Sequence, residues 1–249
     1  MDKNYYPEYY ELERTNWWFL ARMEIIRTQV QKITKGAHNL KILNIGVSTG
    51  ASSQMLRAFG EVTSIEYDQF CVDFVNAKTD LNVQQGSILE LQYDSNQYDL
   101  VCAFDVIEHV EDDQKAVDEM YRVCKHKGYV LITVPAFMFL WSKHDEVNHH
   151  FRRYTHNQLL ALNTSQKTVF STYFNSILFI PIAAVRLLGK IIPFKREGSG
   201  SDFGLIKMNW LNKLFYSVFL SENTLLSNQI KLPFGVSIMY IGNKKNEDK

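Results

Sequence analysis

The chain has 249 residues, 46% of them hydrophobic and 22% charged, as in an ordinary folded protein large enough for one α/β domain with an appended cap. Lysine plus arginine and aspartate plus glutamate both total 27, so the formal net charge is zero and a general polyanion binder, nucleic acid included, is not indicated. Cys71, Cys102 and Cys124 lack metal-ligand spacing and suggest reduced thiols in a cytoplasmic protein.

The opening "MDKNYYPEYYELE" has no apolar core of a signal peptide. Residues 16–34 predict a helix, with Phe19, Met23, Ile26, Val30 and Ile33 recurring every three or four positions. "KILNIG" is a short buried strand. After the loop to Gly50, Ser52 and Ser53 are candidate caps for a helix burying Met55, Leu56 and Phe59. "EVTSIEYD" predicts a second strand, a helix follows through Val72 and Phe74, and "NVQQGSI" is a third, weaker strand.

"YDLVCAF" is the fourth strand and breaks at Asp105. Asp112 and Asp113 suit the positive end of the next helix, with Gly128 expected just past its end. "YVLITVP", "KTVFSTYF" and "GVSIMYIG" complete seven strands. Strands alternating with helices imply a doubly wound, mostly parallel sheet covered on both faces. Between the last two strands lie an apolar helical stretch at 177–192 and the loop "REGSGSDFG", the best candidate for an insertion boundary. Thr168 to Val185 is uncharged but carries Ser171, Thr172, Asn175, Ser176 and Pro181, which argues against a membrane span.

In such sheets ligands bind beyond the carboxyl ends of the strands, and "ILNIGVSTG" is a glycine loop in that position. Glu66, about twenty residues on, stands where an acid grips a ribose hydroxyl. A dinucleotide needs glycine at the middle position, occupied here by Ser48, and no Lys-Ser/Thr follows for a phosphate-cradling loop. A ribose-bearing ligand without phosphate, such as S-adenosylmethionine, tolerates the serine better. A nicotinamide-dependent oxidoreductase is thereby disfavoured.

The loop at Asn44, Gly46, Ser48 and Gly50, with Glu66, "YDLVCAFDVIEHVED" and "GYVLITVP", resembles the class I S-adenosylmethionine-dependent methyltransferases. "NWWFLARMEII", "WSKHDEVNHHFRRYT", "YFNSILFIPIAAVRLLGKI" and "LPFGVSIMYIGNKK" are similar to a subgroup associated with sugar or lipid-linked glycan modification. The resemblance implies a single Rossmann-like domain over 1–249: a helical lid at 1–36, a cofactor-binding core at 37–165, and last strands at 166–249 with a helical insertion at about 175–230. It implies S-adenosyl-L-methionine as cofactor. The cofactor residues would be Asn44, Gly46, Val47, Ser48, Gly50, Glu66, Tyr67, Ser87, Ile88, Phe104, Asp105, His109 and Arg22, the last meeting the cofactor carboxylate. The family loop has an acid where Asn44 stands, and an aspartate where Ser87 stands. Trp17 and Trp18 read as packing residues or as parts of the pocket.

Methyl transfer from a sulfonium requires in-line alignment and a base for the nucleophile's proton. "KHDEVNHHFRRY", just after the fifth strand, offers His144 and His150 as candidates, with Asp145 to orient an imidazole. His149 falls where the subgroup has glycine. The alternative is that these side chains brace the loop. Arg152 and Arg153 could bind a substrate phosphate or pair with nearby acids. No metal is expected. Arg186 and Lys190 share one face of 177–192, which suits a peripheral membrane helix, a core helix or a homodimer contact. The expected function is methyl transfer to O or N of a small-molecule, sugar or lipid-linked saccharide acceptor; an inactive cofactor-binding or interaction module is the alternative.

Overall fold

The computed structural model describes residues 6–191 and 209–246. Two helices, α1 (Tyr6–Thr15) and α2 (Trp17–Ile33), precede the sheet. Asn16 caps α2 by accepting a hydrogen bond from the Trp18 amide at 2.9 Å. The strands are β1 (Leu40–Ile45), β2 (Gly60–Glu66), β3 (Val83–Gln85), β4 (Tyr98–Phe104), β5 (Cys124–Pro135), β6 (Lys167–Phe174) and β7 (Ser237–Asn243). Between them run α3 (Ala51–Leu56), α4 (Gln69–Lys78), α5 (Asp113–Val123), α6 (Lys143–Val147), α7 (His156–Ala161), α8 (Phe179–Ile191) and α9 (Asn209–Ser227).

The seven strands lie in the order β3-β2-β1-β4-β5-β7-β6. The first five are parallel, and β7 runs antiparallel to both β5 and β6. This is the expected doubly wound Rossmann-like sheet. Strand side chains alternate between faces, and both faces are covered. Leu43, Val101 and Ile132 pack with α5 on one face, while Ile42, Leu100 and Leu131 pack with α2 and α9 on the other. The chain leaves β1 toward β2 in one direction and reaches β4 in the other. The crevice at the carboxyl ends of β1 and β4 is therefore the topological switch point, where ligands bind in such sheets.

Two local expectations are corrected. Gly50, with φ +89°, is the N-cap of α3, so Ser52 and Ser53 lie inside its first turn. Their hydroxyls serve the strands instead: the Asn44 amide donates to both, at 2.8 and 2.9 Å. Gly128 is not past a helix end but within β5, because Cys124 already has extended backbone. Pairing jumps from Tyr98–Cys124 to Leu100–Tyr129, so residues between them bulge out, and a Cβ at Gly128 would lie 2.9 Å from the Cys124 sulfur. Of the stretch expected to be helical at 177–192, Phe179–Ile191 form α8, whereas "REGSGSDFG" lies outside the described residues. Among the described residues no helix is long and apolar enough to cross a membrane.

Candidate active site

A cavity of about 1290 Å³ opens at the switch point, above the usual 300–1,000 Å³ of ligand pockets and so roomy enough for a cofactor beside an acceptor. The loop after β1 forms its floor through Gly46, Val47 and Ser48, and Tyr6, Tyr9, Glu13, Trp17, Trp18 and Arg22 of α1 and α2 cover it. Gly46 has φ +66°, and a Cβ there would stand 2.5 Å from a methyl of Val106, so only glycine lets the loop pass the segment after β4 this closely. Ser48 also has positive φ, +48°, and its hydroxyl is buried without a partner.

Glu66 ties this loop to β2. One carboxylate oxygen accepts the Ser48 amide at 2.9 Å; the other accepts those of Tyr67, at 2.8 Å, and Asp68, at 3.3 Å. Burial pushes its pKa up, against the three amides. A carboxylate has about four acceptor directions, so one remains for a ligand hydroxyl. Tyr67, Ser87, Ile88, Phe104, Asp105 and His109 also line the cavity.

Asn44 and Gly50 do not line it. Asn44 is fully buried behind the loop, clamping α3 to β1, and its carbonyl oxygen has no partner. The acid that faces the loop comes from elsewhere. Glu13 of α1 accepts a hydrogen bond from the Thr49 hydroxyl, with its side chain only 10% exposed and its carboxyl on the cavity wall. Burial raises its pKa to about 7, against the Thr49 hydrogen bond and Arg14. Nothing in the sequence marked Glu13, because the element that brings it to the loop is a separate helix.

A folded pKa near 7, against an ordinary 4.5, means that the folded protein holds a proton the unfolded chain has lost. Stability from this group should therefore fall as pH rises from about 4.5 through 7, by about 3 kcal/mol at most. Glu13→Gln should flatten this loss, checked by urea unfolding of both proteins at pH 5 and pH 8. Equal pH dependence in the two would contradict it.

Arg22 sits across the cavity, paired with Asp105 at 2.7 Å and donating to the Thr133 hydroxyl at 2.6 Å. Asp105 has φ +57°, and Thr133 also donates to it at 3.2 Å. The Arg22 Nε is buried and unpartnered. A ligand carboxylate can complete that guanidinium.

The segment after β5 brings its polar residues together around Asp145, the N3 residue of a capping box on α6. Asp145 is fully buried and does not line the cavity. It accepts from Arg153 at 2.7 and 3.0 Å, from the Ser142 amide at 2.8 Å, and pairs with His150 Nδ1 at 2.9 Å. Burial alone would raise its pKa; His150 and Arg153 outweigh that and hold it well below the usual carboxylate range. His144, His149 and His150 line the cavity, with the His144 and His150 rings 6.1 Å apart. Both arginines are engaged by acids: Arg153 by Asp145, and Arg152 by Asp113 at 2.8 Å and the Glu111 carbonyl at 2.7 Å.

His109 stands edge-on to His150, with ring centroids 4.5 Å apart. Its ring opens into the cavity, yet the protein atoms packed around it, then His150, lower its pKa to about 3, so it stays neutral. Glu108 beside it is fully buried with neither carboxylate oxygen partnered. Burial, then Asp105, pushes its pKa well up.

Comparison with known proteins agrees with this geometry. Residues 43–132 match the family described as "Methyltransferase domain". The match takes in about a third of the chain. It spans the glycine loop, Glu66, Asp105 and Glu108, and ends within β5. Over 126 residues the chain is 27% identical to a Mycolicibacterium smegmatis protein named "Probable S-adenosylmethionine-dependent methyltransferase", covering 50% of this chain and 48% of that one. It is 32% identical over 144 residues to the ubiquinone biosynthesis O-methyltransferase of Rickettsia felis, covering 51% and 59%. The chain thus spans about half the length of the curated relatives it matches. An S-adenosylmethionine-dependent methyltransferase of Thermotoga maritima superposes with a TM-score of 0.58 at 15% identity, over 97% of this chain and 96% of that one. The fold is therefore shared almost end to end with that structure.

Proposed function

We propose that this protein transfers a methyl group from S-adenosyl-L-methionine to an oxygen or nitrogen of a small-molecule or saccharide acceptor, lipid-linked saccharides included. The observation that carries the reading is Glu66, a carboxylate at the end of β2 bonded to the Ser48 amide of the glycine loop, on the wall of a cavity with room for two ligands. Unpartnered polar atoms on that wall fit the cofactor. Ser48 Oγ lies at the loop and Arg22 Nε suits a carboxylate. The Glu13 carboxyl, already bonded to Thr49, suits an ammonium. In this reading Val47, Tyr67, Ser87, Ile88 and Phe104 enclose the nucleoside.

S-adenosylmethionine supplies an electrophilic methyl on sulfur. The protein's task is then to align the acceptor in line with it and to receive the proton. His150 has Nδ1 tied to Asp145, which leaves its other ring nitrogen for the cavity. His144, beside it, is the second imidazole able to receive the acceptor's proton. Asp145 acts through His150 and is a positioning residue.

The acceptor is best read as partly apolar. Pro181, Ile182 and Val185 of α8 line the cavity, and Ile180, Val185, Leu187 and Leu188 are exposed on the same helix. Lys190 and Arg186 turn to the carbonyls of Phe139 and Leu140. We place this face against a cytoplasmic membrane surface from which a lipid-linked acceptor is drawn.

The test is transfer of labelled methyl from S-adenosylmethionine into lipid and saccharide extracts by the purified protein. A labelled product with matching release of S-adenosylhomocysteine is expected. Tight binding of S-adenosylhomocysteine without transfer to any extract would leave an inactive cofactor-binding module.

A further inference from the structure

Glu108 poses a question that methyl transfer leaves open. A carboxyl group with both oxygens buried and unpartnered is costly, and such groups in folded proteins mark a missing partner. Asp105, Arg22 and Arg153 act on it electrostatically, and two imidazoles lie close by. One ligand atom from each of Glu108, His109 and His150 lies within 4.8 Å of the other two, on the cavity wall.

We propose that Glu108, His109 and His150 bind a divalent transition-metal ion. Metal bonds to nitrogen and oxygen are about 2.0–2.2 Å long, which sets neighbouring donors about 3–4 Å apart, so a small rotation of the exposed His109 ring closes the site. The outer contacts match as well. Metal-bound histidines bond through their second nitrogen to a carboxylate or a backbone carbonyl, which fixes the ring. His150 is bonded in this way to Asp145, and His109 to the backbone of Asn148. Arg153 in turn fixes Asp145.

Two imidazoles and one carboxylate leave coordination positions open, as in sites that hold a substrate rather than merely brace a fold. Those positions face the cavity. If the methyl-transfer reading holds, they would seat the acceptor's hydroxyl oxygen, with His150 serving as a ligand and His144 as the imidazole left for the proton. The site then favours an oxygen acceptor.

The experiment titrates Mn²⁺ into chelator-treated protein, followed by the electron paramagnetic resonance signal of free Mn²⁺, with S-adenosylhomocysteine titrated separately into the same sample. One Mn²⁺ per chain is expected, displaced by Zn²⁺. Glu108→Gln, nearly isosteric, and His109→Ala, at an exposed position, should each weaken binding at least roughly tenfold. No Mn²⁺ binding up to 1 mM, taken as roughly the weakest specific metal affinity, would overturn the proposal, as would binding unchanged in both variants. S-adenosylhomocysteine binding that persists without Mn²⁺ binding would end the metal site alone. Loss of both would count against the methyl-transfer reading too.

Discussion

Asp145→Asn is expected to destabilise the protein by about 3–5 kcal/mol, the cost of breaking a buried ion pair by removing one partner. Arg153 is 3% exposed and donates to both carboxylate oxygens of Asp145. His150 and the Ser142 amide use the same carboxylate. An asparagine would keep one acceptor, turn an amide donor toward other donors, and leave the guanidinium charged and unpaired. In a chain of this length the melting temperature should fall by roughly 6–20 °C. Differential scanning calorimetry checks this, and a fall below about 2 °C would mean that the cluster does not brace the loop after β5. Arg153 also donates to the Ala136 carbonyl at 3.2 Å, so the damage should reach the end of β5 and the orientation of His150.

Glu66→Ala should weaken S-adenosylhomocysteine binding by about 10–150-fold, equivalent to a charged hydrogen bond of about 1.5–3 kcal/mol. The substitution also releases the amides of Ser48, Tyr67 and Asp68, so the loop loses its tie to β2. The fold should survive, because the core of β2 rests on Ile65 and Ser64 rather than on its last residue. Affinity equal to that of the parent would remove Glu66 from the site.

The sheet was legible in the sequence because its signals are local. Short apolar runs ending at Gly46, Asp105 and Pro135 mark the carboxyl ends of strands, and those ends define the crevice. The glycine loop and Glu66 belong to adjacent elements, so their spacing alone placed them together. Asn44 could not be placed in this way: its side chain turns to Ser52 and Ser53, and nothing in the pattern shows on which side of the loop it lies. Glu13 was hidden for the opposite reason, since it reaches Thr49 from a helix 36 positions away. The histidines were visible as a cluster, but their tasks depend on distant partners: Arg152 is spent on Asp113, and His150 meets His109 across 41 positions of chain.

The central claim is that this cavity binds the nucleoside cofactor of methyl transfer, and isothermal calorimetry with S-adenosylmethionine and S-adenosylhomocysteine tests it most directly. One site per chain with micromolar affinity for each ligand, weakened in Glu66→Ala, is the predicted result. No heat and no thermal shift with either ligand would contradict it.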